Sequence, residues 1–451
     1  MGTIYWTSSV LATFGGLPTG LAVVAMLLLS TYLAIFPAAA SLAIARLVAH
    51  GGRPAFFFAP AAWVATEYAR GFLFGGFPWV PLGNSQVTVL GVAQLASVTG
   101  VYGLSALVAL VNASIAFALL SEGRARIKAV AATGVLLVGV AGWGSWRVAE
   151  GSLTRQGTPF RVGLVQGNIE QTDKWNPREA RRIFTTYVAM TRDVARRGAE
   201  YVIWPESSTP FTFEADPASD AALRDLAREV RAPILFGSEQ ILRDGTTRLY
   251  NAAFLLGPGG ETEAVYRKIH LVPFGEFFPL QQWLTFAVPL VDRFVPFSPG
   301  ERVVMLPVGG HRASTAICYE VVYPSLIREA VINGSELLTT ITNDAWYGRS
   351  SAPYQHFALA SMRAIEQGRY LARAANTGIS GVVDPYGRVV AASDVFSQVG
   401  MVEEVRFLTS RTIYSLTGDV IAYVAVALTV VALAVSGRRS RRRPRQVHER
   451  R

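Results

Sequence analysis

The sequence predicts a multi-span α-helical membrane domain plus an α/β domain built on buried sheets. Three observations predict it. Of 451 residues, 51% are hydrophobic and only 16% charged, too apolar a balance for an ordinary soluble chain. Apolar stretches approaching the roughly 20 residues that cross a bilayer recur near both ends. Between them lie about 250 residues in which β-prone runs alternate with helical patterns, enough chain for a large core.

The apolar stretches come first. Residues 21–46, 55–74, a third stretch ending at Leu120, and 129–146 precede the mixed region, and 416–435 follow it. None reads as a cleavable signal, because no basic segment precedes the first and apolar stretches recur far beyond it. Arg46 and Arg53 follow the first stretch, Arg124, Arg126 and Lys128 the third, and an arginine-rich tail the fifth. By the positive-inside rule these three segments are cytoplasmic, which puts the Met1 end, 75–86 and 147–412 on the outer face. The expected division is 1–147 membrane domain, 160–406 extracytoplasmic α/β domain, 414–436 C-terminal span and 437–451 basic cytoplasmic tail. An odd number of spans with an outer N-terminus adds the expectation that upstream spans are missing from this chain. Within the second stretch, Glu67 and Arg70 stand at i, i+3, readable as a snorkelling pair or as a substrate contact. Gly75 to Pro81 reads as a rigid aromatic connection anchored at the interface.

Charge excludes one class of partner. The net charge is +10, but residues 437–451 hold eight Arg against one Glu, which is +7 of it. The remainder is nearly neutral, so the basicity belongs to a tail and no nucleic-acid groove is expected. The single cysteine, Cys318, rules out an internal disulfide and a multi-cysteine metal site. The five His are scattered and no phosphate-cradling glycine loop is present, so no cofactor and no metal are expected.

In the mixed region, strand-like runs at 161–166, 201–204, 233–237, 312–318 and 336–342 alternate with helical patterns at 178–197, 218–230, 323–333 and 354–368. Three strand ends carry useful chemistry. Tyr201 to Trp204 closes on Pro205-Glu206, where the proline stops the ladder and leaves the carboxylate past the sheet. Tyr266-Arg267-Lys268-Ile269-His270 offers cations and an imidazole, and Ser314 to Ile317 delivers Cys318. Taken alone, the Glu is as readily a solvated loop residue, the Lys a surface charge and the Cys a small core hydrophobe. Together, a carboxylate can take the thiol proton while an ammonium lowers the thiol pKa and stabilises an oxyanion, giving an acyl-enzyme. A Cys-His pair is the competing arrangement, with His270, His311 and His356 as candidates. His311 stands seven residues before Cys318, about 20 Å away along an extended strand, and is a poor base.

Trp204-Pro205-Glu206, Tyr266-Arg267-Lys268 and Ile317-Cys318-Tyr319-Glu320 resemble the Glu-Lys-Cys triad of the nitrilase (carbon-nitrogen hydrolase) superfamily. With spans on both sides, the chain is similar to the apolipoprotein N-acyltransferase family. Val165 to Ile169 with Trp175, Pro273 to Glu276, Thr342 to Trp346 and Ala374 to Gly378 fit that family too, and the resemblance runs from Ala12 through the last span. It implies an α-β-β-α sandwich for the mixed region. It also implies Glu206 as general base, Lys268 as oxyanion stabiliser, Cys318 as nucleophile, and the Tyr319 N–H as a second oxyanion donor. Glu276 supports Lys268, while Trp175, Tyr319, Glu320 and Trp346 line the site. The partners it implies are a phospholipid acyl donor and diacylglyceryl-modified apolipoproteins as acceptors, for a monomer on the outer face of the bacterial plasma (inner) membrane. Family members usually carry more spans than the five visible here, which repeats the expectation of missing upstream spans.

The run between Leu271 and Gly300 is aromatic and broken by prolines at 273, 279, 289, 296 and 299, so it cannot be one regular helix. Beside membrane spans it reads as lids that rest on the bilayer and admit acyl chains, or as a buried core arm. Two alternatives stand beside the acyltransferase. A membrane-tethered amidase would need the same acyl-enzyme and differ only in passing it to water. A non-catalytic membrane scaffold would leave the ordered Glu, Lys and Cys unexplained.

Overall fold

The computed structural model describes residues 2–243, 245–273, 275–277 and 296–442, with side chains to 438. Two compact units emerge. One contains Val24–Glu150 and the chain from Thr417 onward, the other Gly2–Val23 and Gly151–Leu416. The lid-like run falls largely on 274 and 278–295, and most of the tail on 443–451, outside the described residues.

In the helical unit, apolar composition and length decide what can span. Among the described residues, four helices are long and apolar enough to cross a membrane: Thr19–Gly51, Ala96–Leu120, Gly123–Arg155 and Val420–Arg438. The sequence suggested five. The second stretch instead forms a 3-10 helix, Arg53–Phe58, running into a 12-residue α-helix, Ala59–Arg70. Pro54 and Pro60 each remove an amide donor near the start of one of these segments, and the two in line rise about 30 Å, the thickness of a bilayer core, although neither does so alone. Glu67 is buried, and its Oε1 accepts from the Leu82 amide at 2.7 Å and from Trp63 Nε1 at 3.3 Å. The carboxylate therefore ties the 75–86 connection down and is not a snorkelling group.

The second unit is a sandwich of two six-stranded sheets. The first holds β1 (Thr158–Gln166), β2 (Tyr201–Ile203), β3 (Ile234–Arg243), β4 (Thr247–Leu256) and β5 (Thr262–Arg267) in line. The second holds β6 (Leu306–Val308), β7 (His311–Ile317), β8 (Leu337–Thr342), β9 (Leu371–Ala375), β10 (Gly381–Val383) and β11 (Val389–Ala392). β12 (Val399–Phe407) returns to pair antiparallel with β1 at the edge of the first sheet. β1-β2-β3 and β7-β8-β9 are parallel, and the outer pairs are antiparallel.

Both faces of the first sheet are buried, so its strands read as continuous apolar runs with the two faces sorted by alternation. Val162, Leu164, Tyr201, Ile203, Leu235, Ala253 and Leu255 point inward to meet Ala313, Ile317, Leu337, Ile341 and Ala372 of the other sheet. Val165, Val202, Trp204, Ile234, Phe236 and Phe254 point outward, where helices Ala180–Arg196 and Pro217–Val230 cover them with Ile183, Tyr187, Leu223 and Leu226. Asp216 caps the second of these helices, accepting from Ala218 N at 3.2 Å and Ser219 N at 3.4 Å, with Pro217 at its first position. Pro324–Ile332 and Ala352–Gln367 are the helices of the second sheet, the latter buried along most of its length. The result is the α-β-β-α layering that the resemblance implied.

Residues 2–23, placed by composition with the membrane helices, group with this sandwich. Trp6 lies edge-on to Tyr347 at 4.9 Å and donates to Gln355 Oε1 at 3.3 Å, while Phe14 lies edge-on to Trp346 at 5.0 Å. Aromatic pairs of this kind contribute about 0.5–1.5 kcal/mol beyond their burial.

Candidate active site

The parallel strands all end on one rim, and the chemistry sits there. Glu206 follows β2, Lys268 follows β5, Cys318 follows β7 and Asn343 follows β8. The chain must turn sharply at each. Cys318 has φ +53° and Ser207 φ +44°, left-handed values uncommon for residues with a Cβ. Such a turn lifts the thiol off the end of its strand. Opposite Glu206, Gly237 of β3 leaves room: its carbonyl accepts from Ser208 N at 2.9 Å, and a Cβ there would meet Ser207 N and come within 2.7 Å of Glu206 Cα. Gly237→Ala should therefore push Glu206 out of line and cut turnover about 10–100-fold in steady-state kinetics, with the fold retained by circular dichroism.

The polar groups form one charge network. Lys268 Nζ lies 2.8 Å from Glu276 Oε1 and 3.4 Å from Glu206 Oε1. Asn251 Nδ2 donates to both of those oxygens at 2.8 Å, and the backbone amide of Asn343 donates to Glu206 Oε2 at 2.9 Å. The Val272 amide holds Glu276 Oε2 at 2.7 Å. Burial alone would raise the Glu206 pKa, but Lys268, Asn251, Lys174 and the Asn343 amide bring it below the ordinary carboxylate value. Burial would likewise lower Lys268, and Glu276 and Glu206 overcome it and raise it. Burial and the Glu206 charge push the Cys318 thiol up against the pull of Lys268. At rest the site thus holds a protonated thiol beside an ionised carboxylate, the pairing in which a nucleophile and a general base share one proton transfer.

Beneath the nucleophile lies a second buried set. His356 Nε2 donates to the Cys318 carbonyl at 3.1 Å, and its Nδ1 lies 3.0 Å from both Asp344 Oδ1 and Arg373 NH2. Arg373 also pairs with Asp344 Oδ2 at 2.9 Å, and Thr342 Oγ1 donates to Asp344 at 2.9 Å. Burial and Arg373 lower the His356 pKa, which favours the neutral ring. Donor atoms of Cys318, Asp344 and His356 lie within 4.8 Å of one another, a spacing a metal could bridge. The Asp344 oxygens and the His356 nitrogens already have protein partners, so the cluster is built to hold the nucleophile turn. The same geometry disposes of the Cys-His alternatives. His356 is spent on backbone, His311 pairs with Glu336 at 2.7 Å at the start of β7, and His270 stacks on Tyr323 at 4.2 Å.

The remaining sequence candidates sort by exposure. Trp175 and Trp346 present 47% and 39% of their surface to solvent on two loops of the rim. Tyr319 is buried, edge-on to Tyr323 at 5.4 Å. Glu320, named as a residue that lines or supports the site, is fully buried and faces four donors, Tyr266 Oη at 2.8 Å, Ile269 N at 2.6 Å, His270 N at 3.1 Å and Ile317 N at 2.7 Å. It staples the Lys268 loop to the Cys318 turn, and burial pushes its pKa up to about 7. Residues that sequence reasoning missed are Asn251, Lys174, Asp344 and Arg373, and His356 had been weighed only as a base for the thiol. Lys174 and Asp344 stood inside or beside segments already singled out. Asn251 lies mid-strand beside two alanines and gave no signal. The motif segments themselves interlock: Asn376 bonds Ile169 N through Oδ1 at 2.9 Å, and Asn343 Oδ1 through its own Nδ2 at 3.0 Å.

Comparison with known proteins bears on this geometry. A family model described as carbon-nitrogen hydrolase matches residues 161–407, and one described as apolipoprotein N-acyltransferase N-terminal domain matches 1–114. An apolipoprotein N-acyltransferase of Geobacter metallireducens is 39% identical over 448 residues, covering 97% of this chain and 85% of that protein. One from Methylococcus capsulatus is 36% identical over 453 residues, with the same shares covered. Among solved structures, an amidase from Nesterenkonia sp. is 22% identical, covers 56% of this chain and 93% of its own, and has a TM-score of 0.44.

Proposed function

This chain belongs to the apolipoprotein N-acyltransferase family, and on that premise we propose how its residues divide the reaction. The chain is an acyltransferase of the inner membrane that N-acylates lipoproteins. The donor in this reading is a membrane phospholipid. Glu206 takes the Cys318 proton as sulfur attacks an ester carbonyl, and Lys268 and the Tyr319 N–H stabilise the oxyanion. When the tetrahedral intermediate collapses, the C–O bond breaks, Glu206 returns the proton to the departing lysophospholipid, and a thioester remains on Cys318. The neutral α-amine of a diacylglyceryl-cysteine then attacks that thioester. The C–S bond breaks, and Glu206 carries a proton from the amine to the leaving thiolate, restoring the thiol and leaving an amide.

The observation that carries this reading is the buried contact of Lys268 with both Glu206 and Glu276, in electrostatic reach of a thiol at a left-handed turn. All three groups come from one chain, so a single copy can hold the whole site, and the reading keeps the monomer. The distribution of arginines supports a catalytic domain on the periplasmic face and a cytoplasmic tail. The domain limits 1–147, 160–406, 414–436 and 437–451 belong to this reading, with residues 2–23 set apart.

Intact-protein mass spectrometry of the full chain, incubated with phospholipid and no acceptor, tests it. The expected result is a fatty-acyl adduct on Cys318 that hydroxylamine removes and a diacylglyceryl-cysteine peptide discharges. An alkylatable thiol that never acquires the adduct would overturn the phospholipid donor, and discharge to water in preference to the peptide would favour the amidase.

A further inference from the structure

A second lysine is buried at the base of the site. Lys174 sits on the loop between β1 and the Ala180–Arg196 helix, held by its amide to Glu170 O at 3.2 Å, and is 4% exposed. Its Nζ donates to the backbone carbonyl of Glu206 at 3.0 Å. Among the described residues that carbonyl is its one hydrogen-bond acceptor. A buried ammonium with a single neutral acceptor is costly unless charge nearby compensates it. The titratable groups that face it are Glu206 on the turn after β2, Glu239 on β3 and, once ionised, Cys318 on the turn after β7.

Charge balance at the site explains its presence. Glu206 and Glu276 are two carboxylates bridged by one Asn251 amide and sharing one cation, Lys268. Lys268 lies closer to Glu276, at 2.8 Å, than to Glu206, at 3.4 Å. A base so placed needs further positive charge to stay ionised beside a like charge. The groups facing Glu206 are Lys268, Asn251, Lys174, the Asn343 amide, Glu276, Cys318 and the Tyr347 phenol.

We propose that Lys174 is a positioning residue for the general base: it pins the Glu206 backbone from behind and supplies the second positive charge that keeps the Glu206 carboxylate ionised for thiol deprotonation. This deepens the reading above and rests on Glu206 being the base. It also assigns the Asp173-Lys174-Trp175 loop a part in the chemistry, distinct from any contact of Trp175 with substrate.

The sign follows from the charges. A base acts when ionised, so acylation falls as pH drops through the Glu206 pKa. Removing a cation raises that pKa and moves the acid limb to higher pH. Burial lowers Lys174 itself to about 8, so its charge is gone above that pH and its loss costs little there. In single-turnover acylation of Cys318 by phospholipid, followed by mass spectrometry from about pH 3 to 9, Lys174→Met should shift the acid limb up by about one pH unit. The deficit should approach about tenfold below the parent's acid limb and close toward neutral pH, where both carboxylates are ionised, with Lys174→Arg keeping most of the low-pH rate. A uniform loss at every pH, or a limb that does not move, would overturn the proposal and leave Lys174 a packing residue. Iodoacetamide alkylation of Cys318 over the same range reads the same limb without any acyl donor. A full-length chain that forms no acyl adduct but whose alkylation limb shifts in Lys174→Met would sink the donor reading and keep this one.

Discussion

Cys318→Ala abolishes turnover to below about 0.1% of the unaltered enzyme and leaves the fold intact. No other cysteine exists to form a thioester, so no parallel route survives. The structural effect is small for two reasons. The left-handed φ of +53° costs alanine no more than cysteine, and truncation removes one sulfur atom from a site whose backbone is fixed by His356 and Glu320. Melting should shift by no more than a few degrees. Cys318→Ser keeps a nucleophile, but a hydroxyl ionises far less readily than a thiol, and Glu206 must then deprotonate a much weaker acid. Its acylation rate should fall at least about 10³-fold. Residual turnover above a few per cent in the alanine variant, in a preparation free of the native enzyme, would remove Cys318 from the chemistry.

Lys268→Met is the second large effect, and it strikes both rate and stability. In the proposed role it removes an oxyanion donor, about 2.7–4 kcal/mol in comparable sites, and it leaves two buried carboxylates sharing the Asn251 amide. One of them must then take up a proton, and if it is Glu206 the base is lost too. Acylation should drop on the order of 10³-fold or more in single-turnover experiments, and a rate within threefold of the parent would refute the role. The pH dependence of stability reverses as well. In the parent, Glu206 has a depressed pKa, so its contribution is present above the ordinary carboxylate range and is lost as pH falls through the folded value. Without Lys268, burial raises that pKa, so stability is lost as pH rises. The melting temperature of the variant should therefore fall between pH 5 and 8 relative to the parent. Breaking a buried pair of this kind costs about 3–5 kcal/mol where the remaining charge stays ionised. Lys268→Arg should not rescue the rate, because a planar guanidinium cannot occupy the point between Glu206 and Glu276.

The three groups in these predictions were legible as polar residues ending apolar strand runs, and their joint resemblance to a triad turned three weak signals into one. Glu206 and Cys318 could be placed because Pro205 and the end of the 312–317 run mark where the sheet stops. The four helices and five strand runs read from periodicity in the mixed region match elements of the sandwich within a few residues, since both faces of those strands are buried. β9 escaped notice: Leu-Ala-Arg-Ala-Ala has little β signal, and its Arg373 is paired to Asp344 only after folding. The second apolar stretch was read as one regular helix, and composition did not register that it is a 3-10 helix, Arg53–Phe58, joined to the α-helix Ala59–Arg70.

By itself the sequence determined the two kinds of domain, the buried sheets and the family, and it singled out the three groups proposed to react, because each is written in local periodicity, in strand ends or in short ordered motifs. Only the tertiary structure decided that Asn251 bridges two carboxylates, that Glu320 is a staple, that His356 holds the nucleophile's backbone and that Lys174 reaches under the base. These contacts join residues about 30 to 50 positions apart, as Lys174 and Glu206 are, and in some cases on different sheets. Which side chains meet there depends on strand register and on the packing of one sheet over the other, and a one-residue slip of β4 would turn Asn251 to the opposite face.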